Sequence, residues 1–176
     1  MITDTIKGKR LVLIPADKSV LEYELNKKKY PDALKDIIIP ENWPHKTITK
    51  NVTEIFISLL NQDRLYNFYW VYEGKSGDKI LIGSGGIIVH ETGEYEIGYS
   101  VLEQFENYGF ATEAIESIVK WFGSSGLGYK LIAKTDDKNY PSIKVLEKTG
   151  FTFSGLGNEP GSLIYSINFN DNPRYP

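Results

Sequence analysis

Cysteine is absent from this 176-residue chain, which excludes disulfides, thiol nucleophiles and thiolate metal sites. Histidine occurs twice, at His45 and His90, and the two are too far apart for joint ligation on one helix face, so no metal is expected. There is no Gly-x-Ser-x-Gly elbow to anchor a hydrolase triad. There is equally no Gly-x-x-x-x-Gly-Lys-Ser/Thr loop of a nucleotide triphosphatase. No stretch approaches 18 consecutive apolar residues, and the first residues lack the apolar centre of a signal peptide. Positive charge is scarce: the formal net charge is −3 and the longest basic run is Lys27-Lys28-Lys29, the solvated end of a helix. That balance argues against a nucleic-acid partner. These absences predict a cytoplasmic protein with neither a membrane nor a nucleic-acid partner.

What is present is ordinary for a globular protein. A hydrophobic content of 41% and a charged content of 24% suit one domain over residues 1–170, with a polar, proline-containing tail at 171–176 expected to fray. Residues 10–15 read as a strand stopped by Pro15, and Asp17 as the N-cap of a helix through residue 29. Residues 30–47 hold Pro31, Pro40 and Pro44 and read as a loop with a short apolar element at 37–39. A helix follows at 52–61, then a hairpin of strands 67–72 and 79–90, then a strand at 95–102. After Gly109, Phe110, Ala111, Ala114, Ile115, Ile118, Val119 and Phe122 form one stripe of a sheet-packing helix. A strand at 129–135, a helix from Asn139 to Gly150, and strands at 151–154 and 162–169 complete an α/β chain with a mixed sheet.

Two segments carry chemistry. Residues 95–114 pass from strand to helix through a short turn at Gly109, which aims unpaired N–H groups and a helix dipole at one point. Such a point binds an anion, most often a phosphate in an enzyme. The second segment is Asn139-Tyr140-Pro141-Ser142 with Glu147-Lys148-Thr149-Gly150-Phe151. A competing nucleotide signal, Gly83-Ser84-Gly85-Gly86, runs on into Ile87-Ile88-Val89 rather than a helix, so a bulge or close packing is the better account of it.

With Glu96-Ile97-Gly98-Tyr99, Gly109-Phe110-Ala111-Thr112-Glu113-Ala114, and Asn139-x-x-Ser142 before Glu147-Lys148-x-Gly150-Phe151, the chain resembles the GNAT superfamily of acetyl-CoA-dependent N-acetyltransferases, in its RimJ/RimL-like branch. The resemblance runs over nearly the whole chain, from Arg10-Leu11-Val12-Leu13 to Phe151. It implies a central, mostly antiparallel sheet with two splayed strands and flanking helices. It also implies acetyl-CoA as cosubstrate, with the pantetheine arm in the cleft against the main chain of Ser100, Val101 and Leu102. The pyrophosphate would lie on the turn Glu106-Asn107-Tyr108-Gly109-Phe110-Ala111 with Thr112. Asn139 and Ser142 would face the thioester. This sequence departs from the family at Glu106, where Arg or Gln is common, and at Asn107, where Gly is common. An acid 5–6 Å from a phosphate would cost about 1–3 kcal/mol unless it turned to solvent. It departs again at Leu146, where many members carry a Tyr that protonates the leaving thiolate; Ser142 or water would take that role.

The implied reaction is direct attack of a neutral amine on the thioester in a ternary complex. Glu96 is the candidate base and Glu94, on the same face, a weaker one; the catalytic pair is Glu96 and Ser142. A main-chain N–H near Val101 would meet the oxyanion. Trp43, Tyr30 and Tyr69 are candidate walls of the acceptor site, with ordinary packing the equal alternative for each. A protein N-terminus, a polyamine and an aminoglycoside-like amine all stay open as acceptors. A CoA-binding module without turnover is the rival, favoured by Glu106 and the missing Tyr. Monomer and homodimer are both open.

Overall fold

The computed structural model describes residues 4–27 and 31–170. Its centre is an eight-stranded sheet in the order β1-β2-β3-β4-β5-β6-β8-β7. The strands are β1 (Ile6–Lys7), β2 (Leu11–Pro15), β3 (Leu65–Glu73), β4 (Lys79–Val89), β5 (Tyr95–Val101), β6 (Lys130–Asp136), β7 (Thr152–Leu156) and β8 (Ser162–Asn168). Every neighbouring pair is antiparallel except β5 with β6, which is parallel. The helices are α1 (Lys18–Asn26), α2 (Lys50–Leu60), α3 (Phe110–Ser125) and α4 (Tyr140–Lys148). A parallel pair needs a crossover, and α3 supplies it between β5 and β6.

Local chemistry sets the helix ends. Asp17 accepts the Val20 N–H and starts α1, and Thr49 accepts the Val52 N–H and starts α2. α1 stops at Asn26 rather than residue 29, because Lys27 turns left-handed at φ 52° and its N–H closes onto the Tyr23 carbonyl. The sheet has a core on each face. α3 lays Phe110, Ala114, Ile115, Ile118, Val119 and Phe122 on Phe68, Trp70, Ile97 and Leu131. On the opposite face, Val20, Leu21 and Leu34 pack with Tyr69, Val71 and Leu81.

The glycines of β4 belong to this packing and not to a nucleotide loop. A Cβ on Gly86 would stand 2.0 Å from the Tyr66 carbonyl oxygen, and one on Gly83 2.8 Å from the Trp70 ring. The β3–β4 register also slips between Trp70 and Val71, so both the bulge and the close approach occur here.

Candidate active site

The sheet opens between β5 and β6. Their ladder holds one register pair, Glu96 with Ile132, after which the strands diverge. Leu102 donates its N–H to Ile82, and alternation along the antiparallel β4–β5 ladder therefore turns the main chain of Ser100 and Gly98 toward β4 as well. Tyr99 and Val101 point their main-chain groups the other way, into the opening. Of Ser100, Val101 and Leu102, it is Val101 whose N–H faces the cleft; Leu102 is 1% exposed and already paired.

A cavity of about 340 Å³ fills the opening, between Gly98 and Tyr99 of β5, Ala133, Lys134 and Thr135 of β6, and Asn139 and Ser142 at the start of α4. Thr135 lines it, and its buried hydroxyl has no hydrogen-bond partner among the described residues. Asn139 caps α4, its side-chain oxygen accepting the Ser142 N–H at 3.3 Å. The Ser142 hydroxyl lies 2.9 Å from the Tyr99 phenol oxygen. Burial pushes the Tyr99 phenol up to about 12, against a smaller opposing pull from the Ser142 hydrogen bond, so the phenol stays neutral at physiological pH. Tyr99 is the functional candidate that sequence reasoning missed. It stood there as a motif letter, and its partner lies 43 residues downstream.

The turn before α3 is built on two left-handed residues. Asn107 (φ 63°) and Gly109 (φ 78°) are both left-handed, and the first intrahelical bond runs from Glu113 N–H to Gly109. The N–H groups of Phe110, Ala111 and Thr112 thus come before the helix's own acceptors begin. Glu106 is solvent-exposed. Its charge helps hold the Lys46 ammonium up, after the larger effect of the hydrogen bond and charge of Glu103. The acid therefore has a cation within electrostatic reach. Tyr108 is also exposed, stacked on Phe110.

Glu96 lies on the opposite face of β5 from Tyr99. It accepts from Lys134 Nζ at 2.7 Å, and His90 Nε2 lies 2.9 Å from the same oxygen, Oε2. Its side chain is 23% exposed, so solvent reaches it. Two residues along that face begins a second cavity, of about 250 Å³, lined by Asn67, Ser84, Ser100, Ile48, Phe56 and Ile88 among others. The Ser100 hydroxyl is buried there without a partner. Gly98 and Tyr99 line both cavities, so the two meet at these residues from opposite faces of the sheet. Trp43 and Tyr69 line neither. They pack edge-to-face at 5.0 Å in the second core, and Trp43 Nε1 donates to Glu24 at 2.7 Å. Burial, with Glu24 nearby, holds the Tyr69 phenol well above its ordinary value. Tyr30 lies outside the described residues.

Residues 10–152 match the family model described as an acetyltransferase (GNAT) domain. The chain belongs to the GNAT acetyltransferase family. The GNAT chain is 25% identical over 142 residues to an uncharacterized N-acetyltransferase, YjdG, of Bacillus subtilis, covering 78% of this chain and 84% of the relative. It is 37% identical over 79 residues to the uncharacterized N-acetyltransferase p20 of Bacillus licheniformis, a match over 43% of this chain that spans less than half (44%) of that relative. In fold it matches Mycobacterium smegmatis RimJ, solved in complex with a CoA disulfide, at a TM-score of 0.67 and 19% identity, covering 97% of this chain and 90% of that one.

The GNAT cleft offers a fixed set of groups to a long ligand. At one end stand the first amides of α3, suited to phosphate. Along the middle run the outward-facing main-chain groups of Val101 and Tyr99. At the far end is Thr135, its hydroxyl buried and without a partner among the described residues, with the Tyr99–Ser142 pair beside it. The outward-facing main-chain groups suit a polar arm lying in the opening.

Proposed function

We propose that this GNAT domain moves an acetyl group from acetyl-CoA to a primary amine carried on a small, uncharged group. The observation that carries this reading is the meeting of two cavities at Gly98 and Tyr99, one between β5, β6 and the start of α4 and one on the other face of the sheet beside Phe56 of α2. A donor thioester in the first and an amine in the second would approach each other through the sheet, which supplies proximity and orientation.

The amine must lose a proton before it attacks. Both contacts to Glu96 fall on Oε2, which leaves Oε1 to take that proton, through a water that spans the two residues from Glu96 to the cavity. The Val101 N–H meets the oxyanion of the tetrahedral intermediate. The Tyr99–Ser142 pair then hydrogen-bonds the departing sulfur, and the second proton, shed by nitrogen as the amide forms, passes through solvent to the thiolate, so that CoA leaves as the free thiol. A phenol near 12 does not surrender its proton to a thiolate whose conjugate acid is near 8.5, so Tyr99 stabilises the leaving group and keeps its proton. This gives Tyr99 the place that the family's Tyr would hold at Leu146.

Among the described residues, no charged side chain lines the acceptor cavity. Several ammonium groups of a polyamine or an aminoglycoside would enter it without a counter-ion, at a large desolvation cost. Its volume equals that of about eight waters, room for an amino-acid-sized group and little more. A peptide N-terminus with a small first residue and a small neutral amine both satisfy these limits. The likeness to the RimJ structure supports the RimJ/RimL-like branch.

The test is thiol release from acetyl-CoA over a panel of amines, run beside a thermal-shift assay with CoA. Turnover with neutral small amines or short peptides, and none with spermidine or kanamycin, is the expected result. Stabilisation by CoA with no turnover on any amine would favour a binding module instead. No stabilisation at all would remove the cofactor.

A further inference from the structure

The phosphate turn takes its shape from residues behind it. Left-handed Asn107 and Gly109 flank Tyr108, and a non-glycine residue keeps that conformation when its surroundings enforce it. Arg10, next to the start of β2, is the enforcing group. Its Nη1 donates to the Tyr108 carbonyl at 2.9 Å, its Nε donates to Glu113 Oε2 at 2.9 Å, and its guanidinium lies 4.4 Å from the centre of the Phe110 ring. Glu113, one turn into α3, completes the clamp: Oε1 accepts the Arg10 N–H at 2.6 Å and the Leu11 N–H at 3.1 Å. The contacts join residues about 100 positions apart, tying the edge hairpin of β1 and β2 to both ends of the turn. They also hold the Tyr108 carbonyl to Arg10.

We propose that Arg10 and Glu113 are positioning residues for the phosphate turn, acting through Tyr108 and Phe110 to set the affinity for CoA. The proposal rests on the cofactor reading above, and its two halves are separable. Glu113 is 12% exposed, and the clamp is directional: the guanidinium donates to the carboxylate and the carbonyl through two of its N–H groups while it lies over the Phe110 ring. A lysine ammonium keeps the charge and loses that geometry.

Arg10→Lys and Glu113→Gln are compared with wild type in the full chain. Three quantities are read: amide hydrogen exchange at 107–112 in the free protein, the CoA dissociation constant by calorimetry, and the melting temperature. Either variant is expected to speed exchange of the turn at least fivefold while β3 and β4 stay protected. CoA should bind about tenfold more weakly, the KM for acetyl-CoA should rise in step, and kcat and the acceptor KM should stay within twofold. A lower melting temperature with unchanged turn exchange, or with unchanged CoA affinity per folded molecule, would reduce the pair to a stabilising contact and overturn the proposal. Should Arg10→Lys fail to fold, Glu113→Gln retains an oxygen for the Arg10 and Leu11 N–H groups and carries the same comparison. If wild type itself does not bind CoA, the cofactor reading fails, and unchanged exchange in the variants would then sink the clamp independently.

Discussion

Single atoms decide the chemistry at three residues. Tyr99 holds a phenol that burial keeps protonated, 2.9 Å from Ser142 Oγ, so in the proposed reaction it serves as a hydrogen-bond donor to the departing sulfur. Replacing it with Phe should lower kcat by roughly 10-fold, the worth of about one such bond, with the acetyl-CoA KM within threefold; steady-state kinetics decide, and an unchanged kcat would return the role to solvent. Glu96 is held by Lys134 and His90 through one oxygen. Glu96→Gln should cut kcat by roughly 10²-fold or more, whereas an unchanged kcat would take Glu96 out of the reaction. At Glu113 burial disfavours the charge. The hydrogen bonds from Arg10 and Leu11 and the Arg10 charge outweigh it and hold the carboxyl below its ordinary value. A depressed carboxyl stabilises the fold fully above its unfolded value, about 4.3, and loses that contribution as pH falls through the folded value. Urea unfolding from pH 3 to 7 should therefore show wild type ahead of Glu113→Gln by a constant margin above about pH 5, shrinking in acid.

At the scale of elements, the strands and helices with a clear period were legible, because two-residue alternation and the α3 stripe are properties of the chain alone. β1 was not, since Ile6 and Lys7 are too short to carry a pattern, and their strand exists through pairing with Leu13 and Val12. The strand-to-helix turn could be read from Gly109, but the contacts behind it could not, because Arg10 and Glu113 meet only in the fold. Trp43 and Tyr69 looked equally like walls or core; the α1–β3 packing around Glu24 makes them core. The glycines give the sharpest contrast. A Cβ at Gly86 would collide with the β3 backbone, whereas one at Gly98 would meet nothing within 4 Å. Gly86→Ala should cost about 3 kcal/mol or more by forcing β3 and β4 apart. Gly98→Ala should change unfolding free energy by less than about 0.5 kcal/mol. It should still lower kcat/KM at least tenfold, because the added methyl enters the junction of the two cavities. Loss of stability at Gly98 with normal turnover would mean that the cavities do not meet there in solution.

Across the whole molecule, the opening that makes a site also makes a weak seam. β4 has strand partners along both its edges, but β5 and β6 share a single register pair, and below it the two halves of the sheet are joined by side chains of the α3-face core. A ligand spanning the opening replaces the missing ladder with its own polar groups and bridges the strands. Binding to the folded state alone stabilises by about 2.7 kcal/mol when ligand is present at 100 times its dissociation constant. That gain should be concentrated at the seam. Hydrogen exchange of the free protein should show the cleft-facing amides of Tyr99 and Val101, and β6 beyond Ile132, opening before β3 and β4 do. CoA should slow exchange at 99–101, 107–112 and 133–136 by tenfold or more while β1 and β2 change little. Uniform protection over all strands would instead mean that the sheet opens only globally, and that the cleft between β5 and β6 is rigid before any ligand arrives.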